Sequence, residues 1–133
     1  VVELHRVVSR LRAECPWDQD QTHASLAAYA IEEANEVAEA IAALDPMDPS
    51  ARQIDDLVQE LGDLLFQVML HAAIGEETGD FSFSDVANAI TAKMVRRHPQ
   101  VFDPQPGDVP LSMAELSEQW RRIKAAERTT RKD

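Results

Sequence analysis

Two pairs of carboxylates, each spaced i, i+3, are the residues of this sequence best placed to do chemistry together. Glu60 and Asp63 lie in LVQELGDLLFQVMLHAAI, residues 57–74. Read as a helix advancing about 100° per residue, this stretch carries Glu60, Asp63, Gln67 and His71 down one narrow polar stripe. Its other faces are apolar, and a helix apolar nearly all round is expected to be buried. The upstream stretch IEEANEVAE, residues 31–39, repeats the device with Glu33 and Glu36. Glu33 projects about 20° from Leu26, within an apolar stripe, and Glu36 lies beside it at the stripe's edge. Glu32 and Glu39 project further round, toward solvent or toward a place just behind the acids.

Four inward carboxylates cannot sit together bare. Like charges about 4 Å apart repel by roughly 4 kcal/mol per pair at an effective dielectric near 20. Protons or hard cations must neutralise them. An all-oxygen donor set favours Mg²⁺ or Mn²⁺ over zinc, which prefers His or Cys. Mg²⁺ commonly couples carboxylates to substrate phosphates, so an acidic pocket that would repel a nucleotide becomes a phosphate site once metal is bound. The opposing reading is a solvated acidic face paired with Lys and Arg. Residues 24–51 contain neither Lys nor Arg, and Asp63 stands among Leu61, Leu64, Leu65, Phe66 and Leu70. A di-iron carboxylate bundle would need Glu-x-x-His on two helices, and no such pattern occurs.

The basic and aromatic residues each carry two readings. Lys93 and Arg97 are i, i+4 with Arg96 adjacent. They either grip phosphate oxygens or favour a helix C-terminus. Trp120 and Lys124 are also i, i+4, and the indole either packs in the core or offers its face to a base. Trp17, beside Asp18 and Gln21, either packs or caps the pocket against a base. His71 reads as a satisfied core histidine, or as a donor to a metal-holding carboxylate. His23 and His98 read as hydrogen-bonding partners of helix ends.

These residues need helices to position them. Amphipathic periodicity predicts helices over about 2–14, 25–44, 52–75, 84–97 and 112–128. Residues 15–23, 45–50 and 98–112 read as connectors because of their prolines and polar clusters. Gly75 and Gly79 are placed at the exit of the third helix, and Leu26, Ala30, Val37, Ile41, Leu44, Val86, Ile90 and Met94 on inward faces. The expected class is all-α, an antiparallel bundle of about five helices in a single domain spanning residues 1–133.

Composition narrows the function. A net charge of −11, from 24 acidic and 13 basic residues, argues against a nucleic-acid or anionic-membrane binder. The single cysteine, Cys15, cannot form an internal disulfide; it reads as a small buried residue, and a reducing cytoplasm is the expected setting. No uninterrupted apolar run approaches the roughly 18 residues of a membrane span.

In their order, five stretches resemble the MazG-type nucleoside triphosphate pyrophosphohydrolase domain: CPWDQDQTHASL (15–26), EEANEV (32–37), ELGDLLFQVMLHA (60–72), KMVRRHPQVF (93–102) and WRRIKAAE (120–127). The resemblance runs from about Leu4 to Glu127. It implies Mg²⁺-dependent hydrolysis of a nucleoside triphosphate, aberrant or deoxy forms included, to monophosphate and pyrophosphate by an all-α homo-oligomer. Carried over residue by residue, it implies metal ligands at Glu33, Glu36, Glu60 and Asp63. It implies substrate contacts at Lys93, Arg97, Trp120 and Lys124, with Arg96 and Trp17 as neighbouring candidates. Glu32 or Glu36 would orient or deprotonate the attacking water. Two departures stand out: the insert DPMDPS between the acid pairs, and Gln100 where many relatives carry a second histidine. A non-catalytic acidic helical module is the rival reading.

Overall fold

Side-chain caps fix where the two long helices begin. In the computed structural model, which describes residues 1–131, Thr22 and Ser25 form a reciprocal capping box that opens α3 (His23–Ala42). Ser50 and Gln53 do the same for α4 (Ala51–Thr78). Each box satisfies backbone N–H groups that the first turn would leave unpaired. The α4 helix stops at Gly79, whose φ of 74° is the left-handed conformation glycine adopts without steric cost. The remaining elements are α1 (Val2–Glu14), α2 (Pro16–Asp20), α5 (Phe83–Arg97), α6 (Pro99–Phe102) and α7 (Met113–Arg131).

The class is all-α, but with seven helices among the described residues rather than about five. The two extra helices are short, and each opens on a proline. Proline reads as a breaker in sequence, yet at the first helical position its missing N–H is not needed and its fixed φ suits the helix. Gly75 is not a stop either. It lies inside α4, where an added Cβ would come within 2.7 Å of the Phe81 ring, so the glycine admits that ring.

Packing groups the described residues into two compact units, one from Val1 to Phe83 and a second beginning at Ser84. In the first unit α3 and α4 form an antiparallel hairpin. His23 meets His71 at one end, and the Gln53 side chain donates to the Ala43 carbonyl at the other, at 2.8 Å. The core joins Val8 of α1, Leu26 of α3, and Met69, Leu70 and Ile74 of α4. Arg12 ties α1 to its surroundings: it donates to the Gln21 carbonyl at 2.9 Å and pairs with Glu77 near the end of α4. In the second unit, side chains of α5 and α7 meet through Arg96, Arg97 and Glu127.

Only half of α4 is buried as its composition suggested. Residues from Gln67 to Gly75 supply most of the core, whereas Ile54, Val58, Leu61, Leu65 and Val68 are each between 37% and 56% exposed. Ile41 and Ile90, expected to face inward, are exposed as well, and Cys15 is half-buried. By length and composition alone α4 could cross a membrane: it has 28 residues and a window of mean hydropathy 1.3. Its apolar run is nonetheless interrupted, by Glu60 and Asp63. Carboxylates at mid-helix are costly in lipid; here they face the acids of α3.

Candidate functional site

The hairpin brings the two acid pairs together. Glu33 and Glu36 of α3 and Glu60 and Asp63 of α4 each offer an oxygen within 4.8 Å of the others. Glu33, Glu36 and Glu60 are half-buried, while Asp63 is exposed. That corrects the expectation for Asp63: Leu61 and Leu65, which were to enclose it, are themselves exposed. Glu32 and Glu39 point to solvent, as expected.

The cluster is electrostatically unsatisfied. One oxygen each of Glu33 and Glu60 is buried without a hydrogen-bond partner. Burial, followed by the charges of Glu36, Asp63 and Glu32, pushes the Glu33 carboxyl above its ordinary range. Burial, then a hydrogen bond with Glu36 and its charge, does the same for Glu60. Carboxylates crowded so that their charged forms are disfavoured are suited to a hard divalent cation, which supplies the missing positive charge and takes oxygen donors. Shielded, unpartnered carboxylate oxygens fit such an ion.

Beyond Asp63 the polar stripe of α4 continues into the fold. Gln67 is only 6% exposed, and its Oε1 has no hydrogen-bond partner. His71 Nδ1 lies 2.7 Å from His23 Nδ1 with the rings stacked, and Phe81 stacks on His23 from 5.9 Å. His71 is thus satisfied by another histidine rather than by a carboxylate. Desolvation, with His23 nearby, lowers its pKa. His98 caps as anticipated, its Nδ1 lying 2.6 Å from the Met94 carbonyl. Trp17 is 48% exposed and meets Tyr29 edge-on, with ring centroids 5.8 Å apart.

The basic candidates lie in the second unit. Arg97 forks onto Glu127, with Nη2 at 2.8 Å, and Arg96 joins the same carboxylate at 2.7 Å. The Arg97 guanidinium also lies 4.9 Å from the centre of the Trp120 ring, which His98 meets edge-on. The two arginines hold the Glu127 carboxyl down at about 2. Lys93, Arg96 and Glu127 line a cavity of about 590 Å³ between α5 and α7. Among the described residues, the ion pairs of this unit include neither Lys93 nor Lys124. Glu127 was not anticipated. Helical spacing reports neighbours along one helix, and this acid meets its partners across two.

Comparison with known proteins adds the following. Residues 21–102 match the profile of the MazG nucleotide pyrophosphohydrolase domain. The chain is 42% identical over 125 residues to the nucleoside triphosphate pyrophosphohydrolase of Escherichia coli, covering 92% of this chain and 43% of that protein. It is 39% identical over 132 residues to the nucleoside triphosphate pyrophosphohydrolase/pyrophosphatase MazG of Thermotoga maritima, covering 98% and 46%. The chain therefore spans less than half the length of these curated relatives. The crystal structure of a mazG-related protein from Thermotoga maritima superposes with a TM-score of 0.71 at 23% identity, covering 94% of this chain and 99% of that one. That likeness concerns the fold.

Proposed function

We propose a hydrolytic function from one premise: this chain belongs to the MazG nucleotide pyrophosphohydrolase family. The reaction is hydrolysis of a nucleoside triphosphate, deoxy or aberrant forms included, to the monophosphate and pyrophosphate. The observation that carries this reading is the convergence of Glu33, Glu36, Glu60 and Asp63 within 4.8 Å, with shielded oxygens left unpartnered. These four would hold Mg²⁺, with Mn²⁺ as a substitute of similar chemistry. When bound, the ion supplies charge neutralisation for the phosphates and a more acidic water.

The chain's own residues do the rest. Glu36, half-buried within the cluster, or exposed Glu32 would orient or deprotonate the water that attacks phosphorus. Lys93 and Lys124, carried over from the family resemblance, are second-unit candidates for contacting the polyphosphate. Arg96 and Arg97 reach phosphate only by sharing or releasing Glu127, which tempers their charge in the resting protein. Trp17, backed by Tyr29, is the first unit's aromatic candidate for contacting the base, and Trp120 is the second unit's.

The exposed apolar residues of α4 recur at intervals of four and three: Ile54, Val58, Leu61, Leu65, Val68. That is the spacing of a helix–helix seam, and it supports a homo-oligomer closed through α4. The lone cysteine suits a cytoplasmic setting, and the acidic charge suits neither nucleic acid nor anionic lipid as a partner. The test is direct. Each nucleoside triphosphate is incubated with the chain and Mg²⁺, and monophosphate and pyrophosphate are measured. Formation of orthophosphate and nucleoside diphosphate instead would overturn the pyrophosphohydrolase reading, and no turnover together with no Mg²⁺-dependent thermal shift would return the chain to the class of non-catalytic acidic modules.

A further inference from the structure

The α3–α4 hairpin gives the acid cluster two dissimilar ends. Toward one lie Glu39 of α3 and Asp56 of α4, both acidic and exposed. Toward the other lie Tyr29, four residues before Glu33, and Gln67, four residues after Asp63. Because the helices are antiparallel, these two steps run the same way. At about 100° per residue, Gln67 projects between Glu60 and Asp63, and Tyr29 between Glu33 and Glu36. Each lies one turn, about 6 Å, beyond the carboxylates on the face that holds them. An uncharged nucleoside is accommodated at this end and not at the acidic one.

Gln67 carries the sharper signal. It is only 6% exposed, and its carboxamide oxygen has no partner. A buried acceptor left unpaired is costly unless something donates to it. Resting on the hydrolytic reading, which holds the α-phosphate at the acids, we infer that Gln67 is a substrate-contacting residue whose Oε1 accepts a hydrogen bond from a hydroxyl of the nucleotide sugar. The sugar is the first part of the substrate reached on leaving the α-phosphate, and one helical turn matches that step. The base continues outward toward Tyr29 and Trp17. A site that pairs a buried polar group with a substrate hydroxyl discriminates against the analogue lacking it, because the group is then stranded. Gln67 thereby becomes a determinant of sugar selectivity.

The test is a cycle between residue and substrate. Values of kcat/KM are measured for the ribo-, 2′-deoxy- and 2′,3′-dideoxynucleoside triphosphates of one base, with wild type and Gln67→Met. Loss of the contacted hydroxyl lowers wild-type kcat/KM at least tenfold, and the same loss changes the variant by less than twofold. Gln67→Leu, which likewise lacks an acceptor, loses the discrimination too and serves if the methionine variant does not fold. Equal penalties in wild type and variants for every hydroxyl overturn the assignment. If wild type hydrolyses nothing, the hydrolytic reading fails by itself. Thermal shifts with the corresponding monophosphates then decide Gln67: a hydroxyl-dependent shift lost in Gln67→Met supports it, and a shift indifferent to the hydroxyls overturns it.

Discussion

Replacing Glu33 by glutamine is expected to stabilise the metal-free protein and to remove most of its response to Mg²⁺. The ligand oxygens of the four acids lie within 4.8 Å of one another. Two unit charges at that separation repel by roughly 3.5 kcal/mol at an effective dielectric of 20 and by roughly 0.9 kcal/mol in bulk water. Glu33 is only half-buried, so solvent screening places it toward the weaker end. Deleting its charge then stabilises the metal-free chain by about 1 kcal/mol, which raises the melting temperature by about 3 °C for a domain of this size. Mg²⁺ at a hundred times its Kd stabilises the wild type by about 2.7 kcal/mol, and the variant, short of one ligand, gains much less. The order of melting temperatures therefore reverses between chelator and saturating Mg²⁺.

Thermal unfolding followed by the helical signal at fixed chain concentration measures this reversal, and pH supplies an independent check. The Glu33 and Glu60 carboxyls lie above their ordinary range in the fold, so the native state binds protons more tightly than the unfolded chain. Their repulsion is therefore relieved as pH falls from 7 toward 4.5, and the metal-free protein gains stability from these groups. Protons compete with Mg²⁺ for the same oxygens, so the Mg²⁺-dependent shift shrinks over that interval. A Glu33→Gln variant that melts below wild type in chelator, or a wild type indifferent to Mg²⁺ at neutral pH, would refute the reasoning.

Three further outcomes are expected. Asp63→Asn and Glu60→Gln should each reduce pyrophosphate release at least a hundredfold while leaving the helical signal unchanged; retained turnover would remove these residues from the metal site. A charge placed on the exposed seam, as in Leu61→Glu or Leu65→Glu, should convert the sedimenting species to a single chain, and an unchanged sedimentation coefficient would move the interface elsewhere. The Glu127 carboxyl is held at about 2 by Arg97 and Arg96. The stability it contributes is complete above its unfolded value of 4.5 and is lost as pH falls toward 2. The stability difference between wild type and Glu127→Gln should shrink over that range, and a constant difference would show that the carboxylate acts through packing.

The acid cluster was legible in the sequence because it obeys rules that act within one helix. The spacing Glu33–Glu36 and Glu60–Asp63 fixes a shared face, and the basic-free interval from 24 to 51 removes the obvious counter-ions. A short connector beginning at Asp45 turns α3 back on α4, with Asp45 accepting from the Met47 and Asp48 N–H groups. The DPMDPS insert thus lies in the turn and leaves the acids opposed. Local signals failed where a residue answers to something distant in sequence. Pro16 and Pro99 open helices for a local reason instead, because the first helical position needs no N–H and proline has none. Gly75 admits Phe81 rather than ending α4, and Glu127 finds its arginines 30 and 31 residues away.

The seam on α4 was misread for a different physical reason. Composition records that Ile54, Val58, Leu61, Leu65 and Val68 are apolar, but it does not say whether the same chain covers them. In this fold the far half of α4 supplies the core with α1 and α3, and along the near half these apolar side chains face water. On both helices the exposed apolar residues lie well round from the acids: Val58 and Leu65 from Glu60, and Ile31 and Ile41 from Glu33, each by roughly 80° to 160° at about 100° per residue. A surface that buries the seam would therefore leave the carboxylate face and Tyr29 uncovered. Association and catalysis can share α4 because its two faces are separated in angle, and the helix must be apolar on one side and acidic on the other for both to hold.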